Sequence, residues 1–348
     1  MKDILKKKER KCVNKEEFCY DMEVLFDELK NSYGAYDYFG EEAFLNAKQA
    51  ILEKANEEYD FEKLELYMIE EFSKFIKDGH FSISGKNVFV SPRKIMYEDE
   101  NKNYDYAVKV YEVDGIPVFD IKKFWYDNDE EQLQLDTFAK SGESYKAAPC
   151  LIFDLRQNRG GSDTYLYDFL TGLNGEEPDF PEDFRQIYSD TFVEWLANEC
   201  DMHGFEQGIE EEKSDGKILD KEQKIYVLMD RRVASSGESA VANLKTMSGT
   251  ILLGENTNGC FFCGNCIHIY LPNSGICVYY GTGRLLYNGT QNIDELGGFA
   301  PDIYGAFEVE DVVRMYLKEG TSQQVGRKPE FEEAKRPMDV VDFVNIDR

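Results

Sequence analysis

The sequence predicts an α+β fold, with an N-terminal helical subdomain over 1–77, a mixed core over 78–320 and a polar tail over 321–348. Three observations point there. Apolar residues recur at helical spacing before position 78, and short β-rich runs broken by turn signals follow. Two apolar runs then each lead through a small-residue loop into a helix.

The helices come first. Asn14 with Glu17 makes a capping-box pattern, and Phe18, Met22, Leu25, Phe26 and Leu29 follow on one face. Phe44, Leu45, Ile51, Leu52 and Ala55 mark a second helix. Asp60 is placed to cap a third, which carries Leu64, Tyr67, Met68, Phe72, Phe75 and Ile76 on its apolar side. Its predicted stop is Asp78-Gly79, since glycine ends helices without a steric penalty. His80 then stands at the helix end.

Beyond His80 the runs FSIS, VFV, YAVKVYEV and IPVFDI read as strands, with Asp114-Gly115 as a hairpin turn between the last two. Cys150–Leu155 and Ile225–Met229 read as buried strands, and helices are expected from about Asp163 to Leu170 and Gly237 to Met247. The stretch 172–222 is acidic and reads as an insertion or lid. Strands follow from Ile251 to Tyr280, and a last helix covers Val309–Leu317.

Bulk properties narrow the function. The 348 residues are 42% hydrophobic and 31% charged, which fits a packed globular chain. A net charge of −28 opposes approach to a nucleic-acid backbone or an anionic membrane, so no nucleic-acid partner is expected. No apolar run reaches the roughly 20 residues of a membrane span. The start MKDILKKKERK lacks an apolar signal-peptide core. The expected location is therefore cytoplasmic, or secreted or periplasmic if a leader was removed. Eight cysteines are too sparse for a disulfide scaffold. Cys260, Cys263, Cys266 and His268 form a C-x-x-C-x-x-C-x-H run, but its spacing is not that of a standard zinc finger, so no metal or cofactor is expected.

The chemistry lies in the two loops, D-L-R-Q-N-R-G-G at Asp154–Gly161 and D-R-R-V-A-S-S-G-E at Asp230–Glu238. A strand-to-helix turn exposes amides at a helix N-terminus, where negative charge is stabilised. Acyl transfer needs such donors beside a hydroxyl nucleophile, and that hydroxyl needs a base. The histidines are His80, His203 and His268. His203 falls in the acidic stretch and His268 on the outward side of a strand, which leaves His80. Alone, Ser235 and Ser236 read as helix caps, His80 as a packing residue and Glu295 as a surface carboxylate.

In order, the motifs D-G-H (Asp78–His80), D-L-R-x-N-x-G-G, A-S-x-G-E (Ala234–Glu238), G-E-x-T-x-G (Gly254–Gly259) and E-x-x-G-x-x-P-D (Glu295–Asp302) resemble the tail-specific, C-terminal processing peptidase family. The resemblance implies a crotonase-like (ClpP-like) β-β-α spiral core and a serine endopeptidase acting on unfolded or extended polypeptides. One branch of the family uses a lysine in a T-x-G-K loop. Cys260 stands there instead, and Lys245 would lie roughly 15 Å from Ser235 along a helix. The other branch, similar to the tricorn core, takes histidine from D-x-H and a distal glutamate. The implied triad is Ser235, His80 and Glu295, with Ser236 as rival nucleophile. The Ser236 and Gly160 or Gly161 amides are the implied oxyanion hole. Asp154 and Arg156 read as a structural pair. The PDZ domain often found in the family does not fit between Asp78–His80 and Asp154, so a preference for chain tails is not implied. Retinoid-binding repeats resemble the same family, so a non-catalytic module for hydrophobic ligand or peptide is the alternative.

Overall fold

Asn14 Oδ1 accepts the Glu17 amide at 3.0 Å, and the Asn14 amide donates to Glu17 at 3.0 Å, so the first long helix starts at the capping box. The computed structural model describes residues 3–54, 60–89, 104–178, 182–287 and 298–318. Its first elements are α1 (Lys15–Ser32), α2 (Tyr36–Phe39), α3 (Glu41–Lys54) and α4 (Phe61–Ser73). Asp60 caps α4 by accepting the Glu62 amide at 3.1 Å. The helix ends at Ser73, short of the predicted stop at Asp78-Gly79. The apolar pattern outlives it because the Phe75 and Ile76 amides both turn back onto the Phe72 carbonyl, at 3.2 and 2.9 Å.

Next come β1 (Ser82–Ile83), β2 (Lys86–Asn87), β3 (Val108–Val113) and β4 (Ile116–Ile121). The β3–β4 hairpin turns through Asp114 and Gly115 at φ 51° and 77°, the two positive values a type I′ turn requires. Then follow α5 (Asp129–Lys140), β5 (Cys150–Asp154), α6 (Thr164–Asn174), β6 (Glu182–Tyr188), α7 (Asp190–Glu199) and β7 (Gly208–Glu212). The remainder is β8 (Lys224–Met229), α8 (Ser236–Leu244), β9 (Thr250–Gly254), β10 (Cys263–Tyr270), β11 (Cys277–Tyr287), β12 (Ile303–Tyr304) and α9 (Val309–Leu317).

The strands form two sheets, which gives the α+β class expected from the sequence. One runs β12-β9-β8-β5-β4-β3 and is parallel except for the hairpin. Alternation sends Phe119, Phe153 and Val227 to one face, against Phe138, Phe169 and Val241 of α5, α6 and α8. Val118, Ile152 and Leu228 face the other way, onto Val309, Val312 and Val313 of α9. The second sheet runs β2-β1-β11-β6-β7, with β10 also paired to β11.

The N-terminal helices share a core with this second sheet. Phe18, Met22, Leu25, Leu64 and Phe72 are buried with Ile267, Ile269, Val278 and Tyr280. The acidic stretch is built into the same sheet: β6 pairs with β11 on one side and β7 on the other. The expected polar tail over 321–348 lies outside the described residues.

Candidate active site

The serine loop leaves β8 at Met229 and turns on Asp230, whose carboxylate accepts the Arg232 amide at 3.0 Å and the Gln157 amide at 3.1 Å. Ser235 then takes φ 53°, ψ −125°, a conformation that is strained for a side chain with a Cβ. Bonds on both sides hold it there. Ala234 N–H donates to Asn158 O at 2.9 Å, and the Glu238 and Ser239 amides donate to Ser235 O at 2.7 and 3.0 Å. The half-buried Ser235 side chain makes no capping hydrogen bond to the helix it precedes. Ser236 is different. It is buried, and its hydroxyl is committed to Gly161 O at 2.7 Å.

The glycine loop lies against this turn. A Cβ on Gly160 would stand 2.8 Å from Ser235 Cβ and 2.9 Å from Ser236 N, so only glycine lets the two loops approach this closely. Asn158 fixes the loop. Its Oδ1 accepts the Gly160 amide at 2.9 Å, and its Nδ2 donates to Ile121 O at 3.1 Å. The Gly160 N–H is thereby engaged inside the loop.

The turn that precedes His80 is tied to α8 through the Cys260 loop and Glu238. This fully buried carboxylate, one turn into α8 from Ser235, accepts Thr257 Oγ1 at 2.6 Å and the Gly259 and Cys260 amides at 2.8 Å each. Burial pushes the Glu238 carboxyl up, and these donors pull it part of the way back. The pinned 257–260 loop is the surface on which the histidine segment rests. A Cβ on Gly79 would fall 2.7 Å from Cys260 Cβ. Asp78 is fully buried, accepting the His80 amide at 2.8 Å on Oδ1 and the Tyr33 hydroxyl at 2.9 Å on Oδ2. Burial pushes His80 down from its ordinary 6.5, while Asp78 pulls it up, and the net shift is downward. The downward shift favours the neutral imidazole, the form able to accept a proton.

Glu295 lies outside the described residues. His203 is exposed beside Asp201 at 3.0 Å, and His268 sits on β10, paired opposite Tyr279. Asp154 and Arg156 form the expected pair, with Nε–Oδ1 and Nη2–Oδ2 at 2.8 and 2.7 Å. Burial pushes Asp154 up, but Arg156 and Lys122 hold it below the usual carboxylate range. These residues line a cavity of about 610 Å³ that also includes Leu228, Leu253 and Val309, placing it on the α9 face of the sheet. That is the face opposite α8. Among the described residues no His, Cys, Asp and Glu cluster is arranged to hold a metal.

Three residues act here in ways the sequence reading missed. Asn158 and Glu238 stand inside the motifs with no role legible in the sequence, and only the folded chain shows that they tie the glycine, serine and Cys260 loops together. Tyr33 had no local signal, because its partner Asp78 is far along the chain.

A family model described as Peptidase family S41 matches residues 116–304. The fold is similar to that of mature CPAF, at 12% identity over 90% of this chain and 99% of that one, with a TM-score of 0.57. It is likewise similar to mature CPAF complexed with lactacystin, at 12% identity over 88% and 97% of the two chains, TM-score 0.52. A lipoprotein from Streptococcus agalactiae matches at 13% identity over 86% and 96%, TM-score 0.50. At these identities the likeness concerns the fold alone. No curated protein sequence matches the chain.

Proposed function

The chain belongs to peptidase family S41 and is a serine-type peptidase, and we propose that it cleaves unfolded or extended polypeptides with Ser235 as nucleophile, His80 as general base and Glu295 as the carboxylate completing the triad. The observation that carries this reading is the Ser235 backbone. A positive φ at a non-glycine residue, braced from both sides at the mouth of α8, is the strained strand-to-helix turn that presents a reactive hydroxyl. The neighbouring Ser236 hydroxyl is spent on Gly161 O, which favours Ser235 over its rival.

The chemistry runs as follows. Ser235 Oγ attacks the scissile carbonyl carbon while neutral His80 takes its proton. Charge develops on the carbonyl oxygen and is met by the Ser236 and Gly161 amides, assisted by the α8 dipole. Protonated His80 passes its proton to the departing amine, leaving an ester on Ser235. Water, activated by His80, then hydrolyses that ester and restores the enzyme.

The test is hydrolysis of a reduced, alkylated, fluorescently tagged protein. Ser235→Ala and His80→Ala should each remove activity, and Ser236→Ala should retain it. Activity that survives Ser235→Ala would end this assignment.

A further inference from the structure

His80 Nδ1 is buried and has no hydrogen-bond partner among the described residues. A catalytic imidazole normally gives that nitrogen's proton to an acceptor, which fixes both the tautomer and the ring's direction. Among the described residues, Asp78 Oδ1 is the carboxylate oxygen facing it, 4.0 Å away. This carboxylate is unusually well fixed. Its Oδ2 accepts the Tyr33 hydroxyl at 2.9 Å, and Tyr33 is itself wedged among Phe44, Phe81 and Tyr280 at centroid distances of 6.3, 5.3 and 6.0 Å. Oδ1 already holds the His80 amide at 2.8 Å.

We propose that Asp78 is a positioning residue for the His80 base, holding the ring from its Nδ1 side so that Nε2 is the nitrogen turned toward the serine. The proposal rests on the peptidase reading of His80. It adds a carboxylate supplied by the same D-G-H turn as the base. At 4.0 Å Asp78 acts on the ring through its charge, leaving the Nδ1 hydrogen bond to the triad carboxylate, and it stabilises the imidazolium formed during attack.

The surroundings leave Asp78 as the group that matters electrostatically. Cys260 packs on Gly79, and Glu238 behind it is saturated by Thr257, Gly259 and Cys260. Tyr33 from the end of α1, Cys266 from β10 and Tyr279 from β11 stand around Asp78. Burial raises the titration of Tyr33, Tyr279 and Cys266 away from neutrality. Among the described residues, Asp78 is the charge that acts on the imidazole.

The competing account is that Asp78 only shapes the turn by accepting the His80 amide. Histidine-selective 15N NMR titration of the Ser235→Ala protein separates the two, because it reads the imidazole without requiring turnover. Asp78→Asn should lower the His80 pKa by about one to three units, the effect of losing an opposite charge at this range. Tyr33→Phe should move it the other way, by about 0.4–1 unit, because the carboxylate loses a hydrogen bond and its full charge falls on the ring. In the Ser235 protein, Asp78→Asn should also shift the acid limb of fluorophosphonate labelling downward by the same amount and cut its plateau about 10²–10⁴-fold. An unchanged His80 pKa in a folded Asp78→Asn variant overturns the proposal. If that variant does not fold, an unchanged pKa in Tyr33→Phe overturns it. Both pKa shifts without any labelling of the Ser235 protein would uphold the Asp78–His80 coupling and refute the peptidase reading separately.

Discussion

Gly79→Ala tests how the histidine is brought to the serine. The new Cβ would stand 2.7 Å from Cys260 Cβ and 3.2 Å from Cys260 Cα. Carbon atoms in contact settle at about 3.5–4.0 Å, so one side must retreat by about 1 Å. The 257–260 loop cannot give way easily, since Glu238 holds two of its amides and the Thr257 hydroxyl. Gly79 is not among the residues with positive φ, so alanine adds crowding without backbone strain. The displacement therefore falls on the Asp78–His80 turn. A misplacement of about 1 Å in a catalytic group costs on the order of 10²-fold in rate. The assay is the second-order rate of fluorophosphonate labelling at pH 7, with a thermal melt to confirm folding. Gly79→Ala should label about 10²-fold more slowly, and adding Cys260→Gly should recover most of the loss by removing the opposing Cβ. Labelling at the parent rate, or a double variant as slow as the single, would refute this account of the contact.

Other outcomes follow from the same geometry. The labelling rate should rise with pH along a limb whose midpoint lies below 6.5, because burial lowers His80 and the base acts only when neutral; a midpoint well above 6.5 in a pH-rate profile would contradict this. Ser236→Ala deletes the hydroxyl bonded to Gly161 O and should lower stability by about 0.5–1.5 kcal/mol in urea melts, with the labelled residue unchanged. Glu238→Gln turns an amide group toward one of three fixed donors and should cost about 1–3 kcal/mol, with labelling falling as the Cys260 loop loosens. Asp154→Ala removes the bidentate partner of Arg156, while Lys122 keeps Asp120 at 2.5 Å, for an expected loss of about 1.5–3 kcal/mol by denaturant unfolding.

Local chemistry was legible in the sequence where it decided the structure locally. The Asn14 and Asp60 caps, the Asp114-Gly115 turn and the Val309–Leu317 helix are set by neighbours within a few residues. Both glycine- and serine-bearing loops were legible as strand-to-helix turns. The end of α4 was not, because Phe72, Phe75 and Ile76 keep helical spacing through a turn that is no longer helix. The strand Gly208–Glu212 escaped notice for another reason. Its residues are all exposed, so it carries no alternation, and its pairing is dictated by the backbone of β6. The Tyr33–Asp78 bond and the Glu238 clamp connect residues that only the tertiary fold makes neighbours.

The central claim is that one hydroxyl, that of Ser235, is the reactive group. Tryptic digestion of the fluorophosphonate-treated protein yields the peptide Val233–Lys245, which contains Ser235, Ser236 and Ser239. Fragment-ion mass spectrometry of that peptide locates the phosphonyl group to a single residue. The account predicts it on Ser235, with the adduct diminished in the His80→Ala protein. An adduct on Ser236 or Ser239, or a folded protein that acquires none, would contradict it.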